Sequence, residues 1–427
     1  MLGDKPMKRI VIFIDGTWNR PDAEHPTNVV RLARCVQHRT DSGMPQVVLY
    51  TAGVGSGSGN NRLARKMDRV FGGTLGWGLL SIMEDMYRRL VFAYEPGDEV
   101  MIFGFSRGAF AARSLVGFIR SAGICGRDRL RDIPAAVARY VDRAPETHPR
   151  HEDSYAFRLG FSPAVVTSLD ERKWRAKHGQ RHEDVVDLRI AYLGVWDTVK
   201  ALGLPAALPG AGAFNRKYEF HDAMLSSMVM AARHAISIDE RRKTFPAMPW
   251  SNIAEMNKAR NFVAPEYLQQ WFPGNHGSVG GGGSRRGLSS VALNWVMLGA
   301  AKAGLALDWR EMRNVADRFD VMEPLDNKFG PLGLANVLNK WTNDRKGPQE
   351  LVEMSMLAID RVFEDEGYIR NPSLKAIYAD LYKLDEDRRD KIRKAHRATD
   401  GAYTHMPGRV TWPGPPEWAR TPDTLDE

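Results

Sequence analysis

A chain of 427 residues with 43% hydrophobic and 26% charged side chains has the make-up of an ordinary globular protein, long enough to bury a sizeable core. Only Cys35 and Cys125 are present, which excludes a disulfide framework and a four-thiolate zinc site; a reducing compartment fits, and so few cysteines also permit export. The formal charge of +8 is a mild bias toward anionic partners such as phospholipid surfaces, and with none of the nucleic-acid modules recognisable, no nucleic-acid partner is expected.

The chain opens without an apolar segment leading to a small-residue cleavage site, so no signal peptide is read and the expectation is a cytoplasmic protein. Arg9 to Ile14 is an apolar run ending in Asp15-Gly16-Thr17, as suits a buried strand opening into a turn. Helical spacing follows from Thr27 to His38, and Gln46 to Tyr50 reads as a second strand before the glycine-rich run Gly53 to Gly59. Trp77 to Tyr94 carries Leu80, Met83, Tyr87 and Val91 along one helical stripe, and Glu99 to Phe103 is the next buried strand. A helix is predicted over Ala109 to Ser121. Residues 127–187, crowded with Arg, His, Asp and Glu, read as a mainly helical insertion, basic and without strand signals, and as the candidate lid or docking surface. Leu188 to Val195 resumes the sheet, Met224 to His234 reads as a helix, and Tyr267 to Phe272 as another strand. The apolar stretch Ala292 to Leu307 is broken by Asn294, Lys302 and Gly304, too short and polar to span a bilayer. Beyond Asp308 the pattern is helical and irregular, with one charged amphipathic helix predicted over Leu374 to His396. Alternating strands and helices define the fold class: α/β, hydrolase-like, with a mostly parallel central sheet flanked by helices. The expected division is a catalytic domain over 1–307, holding the insertion at 127–187, and a mainly helical C-terminal region over 308–427.

Gly104-Phe-Ser106-Arg-Gly108 fits G-x-S-x-G with a strand before it and a helix after it. That context is the sharp turn which lifts a serine hydroxyl above a sheet, so Ser106 is the candidate nucleophile. The following helix aims its free N–H groups at the site, which makes the Arg107 N–H a candidate oxyanion donor. A second donor is expected from Gly16 or Thr17, after the first strand. A serine nucleophile needs a base, and the base an orienting carboxylate, in the chain order Ser, acid, His for this fold class. Asp197 follows a strand, where catalytic side chains of parallel sheets collect. His276 lies in a loop before a glycine run and is preferred as base over His234, which the predicted helix would end. His178 and His182 are four apart, but Gly179 and the basic surroundings argue against a metal pair. Gly53 to Gly59 does not match a dinucleotide-binding loop and has no P-loop lysine after it; it reads as a flexible rim of the cleft.

These residues resemble a known family. Five strings occur in its order: Phe13-Ile-Asp-Gly-Thr-Trp-Asn19, Phe103-Gly-Phe-Ser-Arg-Gly-Ala-Phe110, Gly194-Val-Trp-Asp-Thr198, His234-Ala-Ile-Ser-Ile-Asp-Glu-Arg-Arg242 and Trp271-Phe-Pro-Gly-Asn-His276. The group is the α/β-hydrolase domain family of bacterial type VI secretion lipase effectors. By that resemblance the family's serine, aspartate and histidine fall on Ser106, Asp197 and His276, and the implied activity is cleavage of glycerophospholipid acyl esters. Relatives often carry an aspartate shortly after the histidine, where this chain has Ser278. The implied partners are a lipid or other ester substrate, an anionic membrane at its periphery, and a protein of a secretion or defence assembly. Delivery to another cell by a signal-independent system is also implied.

No metal or organic cofactor is called for, because a triad and an oxyanion hole supply nucleophile, base and charge stabilisation. Two other readings remain open: an esterase or thioesterase on a soluble substrate, and a hydrolase fold kept as a binding module.

Overall fold

The computed structural model of the chain describes residues 8–16, 19–53, 75–142, 144–199, 224–243, 245–260, 266–315, 318–326, 343–400 and 409–410. Thr17 and the glycine-rich run from residue 54 onward lie outside them.

Strand β1 (Arg9–Ile14) is buried at every position because helices cover both of its faces. Ile10, Ile12 and Ile14 point to one side, Val11 and Phe13 to the other, which gives the continuous apolar run its period of two. Helix α1 (Asn28–Cys35) starts at Thr27, whose hydroxyl accepts from the Val30 N–H. Strand β2 (Gln46–Thr51), helix α2 (Leu75–Ala93), strand β3 (Glu99–Phe105) and helix α3 (Arg107–Ala122) follow. After the insertion come β6 (Ile190–Trp196), β7 (Val229–Ser237), helix α7 (Ile253–Arg260) and β8 (Tyr267–Phe272). Then come helices α8 (His276–Gly280), α9 (Gly287–Lys302) and α10 (Trp309–Val315). The six long strands form one sheet in the order β2-β1-β3-β6-β7-β8, parallel at every pairing. Helices α2 and α3 pack on one face, α1 and α9 on the other, giving the three layers of an α/β-hydrolase-like fold.

The register decides where the chemistry can be. Phe105 pairs with Trp196, and Trp196 with Ala235, so Ser106 and Asp197 each stand one residue beyond the tips of neighbouring strands. Crossover connections between parallel strands bring their C-terminal ends to one edge, where loops gather.

Two sequence expectations give way. Residues 224–234, expected as a helix, enter β7 instead. Ala231, Ala232 and Ala235 are buried small side chains of an inner strand, while the Arg233 guanidinium donates to the Trp295 carbonyl. The single helix expected over 374–396 is broken. A 3-10 turn (Pro372–Ile377) runs into α12 (Tyr378–Leu381), and a new helix, α13 (Glu386–Asp400), begins after Asp385, whose carboxylate accepts from the Arg388 N–H. Helix α11 (Met356–Glu364) and residues Met354, Tyr368, Leu374 and Leu381 pack into the same core as β1, β3 and α9.

The insertion is mainly helical: α4 (Ile133–Val141), α5 (Glu152–Phe161) and α6 (Leu169–Lys177), with a small parallel pairing of β4 (Val165–Val166) and β5 (Val186–Asp187). It does not lie over the site. Its contacts are with the C-terminal end of α3, where the Arg158 guanidinium donates to the Ser121 carbonyl and Ser162 to the Ala122 carbonyl. Since α3 has 16 residues, these contacts stand about 24 Å from Ser106, at the opposite edge of the sheet. Nor is it a free basic surface. Arg127, Arg129, Arg172 and Arg181 pair with Glu95, Asp132, Asp187 and Asp184.

Glu171 bridges Arg158 at 2.8 Å and Arg175 at 2.7 Å, with all three side chains fully buried. Glu171→Gln would leave two buried guanidinium groups without their counter-charge, a loss of about 3–5 kcal/mol. A thermal melt should show that loss. Equal melting of the two proteins would refute the buried ion triad. Among the described residues no helix is long and apolar enough to cross a membrane.

Candidate active site

Ser106 is held at φ 60° and ψ −126°, a conformation L-residues rarely adopt. The turn closes only because its two glycines lack side chains. A Cβ on Gly104 would lie 2.6 Å from the Gly108 carbonyl oxygen, and one on Gly108 would lie 2.3 Å from the Ile14 and Asp15 carbonyl oxygens. Ser106 N–H donates to the Trp196 carbonyl at 3.0 Å, tying the turn to the neighbouring strand. Asp197, off the tip of that strand, is the other non-glycine residue with positive φ among those described, at 35°. His276 opens α8, which Asn275 caps by accepting from the Ser278 N–H.

These three side chains meet. His276 Nδ1 donates to Asp197 Oδ2 at 2.5 Å, and His276 Nε2 lies 2.7 Å from Ser106 Oγ. With Nδ1–H committed to the carboxylate, Nε2 is the acceptor for the serine hydroxyl. Phe105 and Phe245 flank the imidazole at ring-centroid distances of 4.5 Å and 4.9 Å. This burial lowers the His276 pKa, against the pull of Asp197. The Asp197 carboxylate is fully buried, which works to raise its pKa, yet Arg345 and His276 bring it well below the usual carboxylate range. Such a chain of contacts can deprotonate a hydroxyl for attack on an electrophilic carbon and keep the resulting imidazolium paired.

His234 is not in this arrangement. It sits within β7, with Nε2 accepting from the Thr198 N–H and Nδ1 toward Gln269, and burial drives its pKa down to about 3. The Arg107 N–H, at the first turn of α3, has no backbone acceptor among the described residues. Gly16 does lie beside Ser106, where an added Cβ would stand 3.1 Å from the serine Cβ. Its N–H, however, donates to Asp15 Oδ1 at 2.7 Å and is engaged there. Asp15 itself is buried, which pushes its carboxyl up to about 6 against hydrogen bonds from Thr27, the Gly16 N–H and Tyr50. Ser278 donates to the Leu325 carbonyl at 2.8 Å.

Several neighbours among the described residues were not singled out from the sequence, Ser237 among them, whose N–H and hydroxyl donate to Asp197 at 3.0 Å and 3.1 Å. Glu240 accepts from the His276 N–H at 3.2 Å and pairs with Arg242, whose guanidinium lies 3.8 Å over the Phe245 ring. Arg345 forks onto Asp197. Once β7 is seen as a strand, the charged run after it falls on the site edge, so Glu240 and Arg242 had a signal; Arg345 had none. Among the described residues no three His, Cys, Asp or Glu side chains gather as a metal site would need.

Parallel sheet, strained strand-tip serine and histidine–carboxylate pair together have the architecture of an α/β-hydrolase. The family model that matches residues 8–299 is the catalytic domain of Tle1-like phospholipase effectors of the type VI secretion system (T6SS), and the chain belongs to this family. An uncharacterised protein of Saccharomyces cerevisiae is 26% identical over 249 residues, a match covering 56% of this chain and 32% of that protein. A solved Tle1 effector bound to the VgrG spike of the type VI secretion system is 16% identical at a TM-score of 0.32, covering 65% of this chain and 51% of the other. An uncharacterised protein from Pseudomonas aeruginosa, also 16% identical, gives a TM-score of 0.37 over 91% of this chain and 62% of the other. The chain thus spans about a third of the yeast protein and between half and two thirds of the two solved chains.

Proposed function

We propose that this chain is a serine hydrolase that cleaves acyl esters of phospholipids, with Ser106 as nucleophile, His276 as base and Asp197 as the orienting acid. The carrying observation is the unbroken relay from Ser106 Oγ through His276 to Asp197, in a chain of the phospholipase effector family. Ser106 Oγ attacks the ester carbonyl as its proton passes to His276 Nε2. The Arg107 N–H receives the oxyanion, and the leaving alcohol takes the proton back before water repeats the cycle on the acyl-enzyme. The wider assignment, a lipid-cleaving effector with a partner in a secretion assembly, is supported by family membership.

A phospholipid brings a phosphate as well as an ester, and the Arg107 guanidinium is available to it. The Arg107 side chain has no hydrogen-bond or ion-pair partner among the described residues, and its pKa is pushed down to about 10 by burial and by Arg242 nearby. An anion would relieve both effects. Arg107→Gln is therefore expected to lower kcat/KM on a diacyl phospholipid on the order of tenfold, while a neutral short-chain ester changes little. Equal losses on both substrates would remove the phosphate role.

The test of the whole reading is fatty-acid release from mixed liposomes, set beside a short-chain soluble ester and a thioester, with wild-type and Ser106→Ala protein. Release from liposomes by wild type alone is the expected result. Turnover of the soluble substrates with liposomes untouched would replace the phospholipid reading with a general esterase. No turnover of any substrate would favour a hydrolase fold kept for binding.

A further inference from the structure

Asp197 has a second charged partner, and it comes from 148 residues further along the chain, beyond the stretch matched by the family model. Arg345 Nη1 donates to Asp197 Oδ1 at 2.6 Å and Nη2 to Asp197 Oδ2 at 3.1 Å, a two-pronged contact with both side chains buried. The rest of the guanidinium is also committed. Nη1 donates to the Ser237 carbonyl and hydroxyl, while Nε and Nη2 donate to the Phe245 carbonyl. The segment that carries Arg345 is pinned at both ends. Asn343 N–H donates to the Arg241 carbonyl, Asp344 pairs with Arg241, and Ser355 N–H donates to the Trp271 carbonyl. Leu325, from the same region, accepts from Asn275 N–H and so braces the helix that starts with His276.

We propose that Arg345 is a positioning residue: its fork holds the Asp197 carboxylate ionised and in the plane that meets His276, so that the C-terminal region completes the catalytic centre. The inference rests on the hydrolase reading of Ser106, His276 and Asp197. Without Arg345 the buried carboxylate would keep its hydrogen bonds from His276 and from the Ser237 N–H and hydroxyl but lose its permanent counter-charge, and a lysine could supply charge but not the two parallel hydrogen bonds. The arginine also acts on the base. Set behind Asp197, its charge weakens the carboxylate's hold on an imidazolium proton, which keeps His276 neutral to lower pH. Among the described residues, the charged groups that act most on His276 besides Asp197 are Glu240 and Arg242, which pair with each other, and burial holds His234 neutral. Removing the Arg345 charge therefore raises the His276 pKa and moves the acid limb of activity to higher pH.

The experiment uses the full chain and two readouts. One is the His276 titration by NMR on histidine-labelled protein, assigned through His276→Asn. The other is the pH dependence of Ser106 labelling by a fluorophosphonate. In Arg345→Gln the His276 titration and the acid limb of labelling should both move up by roughly one unit. Labelling on the alkaline plateau should fall on the order of tenfold as the carboxylate loses its fixed plane. Arg345→Lys should keep the acid limb near the wild-type position and still label several-fold more slowly. A His276 titration that stays in place or moves down in Arg345→Gln overturns the proposal. Should that variant not fold, Arg345→Lys decides: labelling at the wild-type rate overturns it, and slower labelling with the limb in place supports it. Absence of labelling in the wild-type protein would count against the hydrolase reading, while the NMR titration would still judge the action of Arg345 on His276.

Discussion

Ser106→Ala should abolish fluorophosphonate labelling and lower kcat by about four orders of magnitude or more, with the melting temperature essentially unchanged. The large effect follows from the geometry. His276 Nε2 stands 2.7 Å from Ser106 Oγ, and without that oxygen the proposed base has no hydroxyl to activate. The small structural effect follows as well, because alanine meets the same backbone strain as serine at φ 60° and leaves both flanking glycines in place. A labelled Ser106→Ala protein would mean that the reactive serine is elsewhere.

Asp197→Asn should be crippled twice over. Activity is expected to drop by roughly 10⁴, since an amide beside Nδ1 favours the wrong tautomer of the base. Stability should fall too, because the substitution strands the buried Arg345 guanidinium. Breaking a buried pair from one side costs about 3–5 kcal/mol, which at this size means a melting point lower by roughly 5 °C. The pH sense can be worked out. The Asp197 pKa is lowered by folding, so its contribution is fully present above the ordinary carboxylate value and is lost only as the pH falls below it. At neutral pH the wild-type protein should therefore melt above Asp197→Asn, with the gap narrowing in strong acid. Loss of activity without loss of stability would show that Arg345 finds its main support from Ser237 and Phe245 rather than from the carboxylate.

The fold was legible where burial on both faces writes itself into composition. Ile10 to Ile14 and Val100 to Phe105 are apolar at every position because helices cover each side of the sheet, and β1, β3, β6 and β8 were read on that signal or on the turns that end them. Strand β7 lacked it. Its Ala231, Ala232, Arg233 and His234 are good or tolerable helix formers, and what makes them a strand is the space between β6 and β8, a tertiary constraint that local preference does not carry. That one misreading hid Glu240 and Arg242, since a charged run after a helix has no reason to face a site. The insertion was misplaced for a topological reason. A segment between the helix after one strand and the start of the next parallel strand emerges at the N-terminal edge of the sheet, opposite the loops that carry Ser106, Asp197 and His276. Arg345 was out of reach altogether, because nothing local marks an arginine whose partner lies 148 residues away.

The strained backbone at Ser106 carries a consequence for how this site could be lost. A residue held at φ 60° costs of order 1–3 kcal/mol, and glycine alone would occupy the position at ease. Folding therefore does not defend the serine; on the proposed reading, only its chemistry does. Asp197 is different, because the buried Arg345 depends on it whether or not a substrate is ever cleaved. A descendant released from catalysis would be free to trade Ser106 for glycine and gain stability, yet would tend to keep the aspartate and its arginine. Among sequences that share this chain's C-terminal segment, a preserved Asp–Arg pair would thus report the fold, and the serine alone would report whether the chemistry survives.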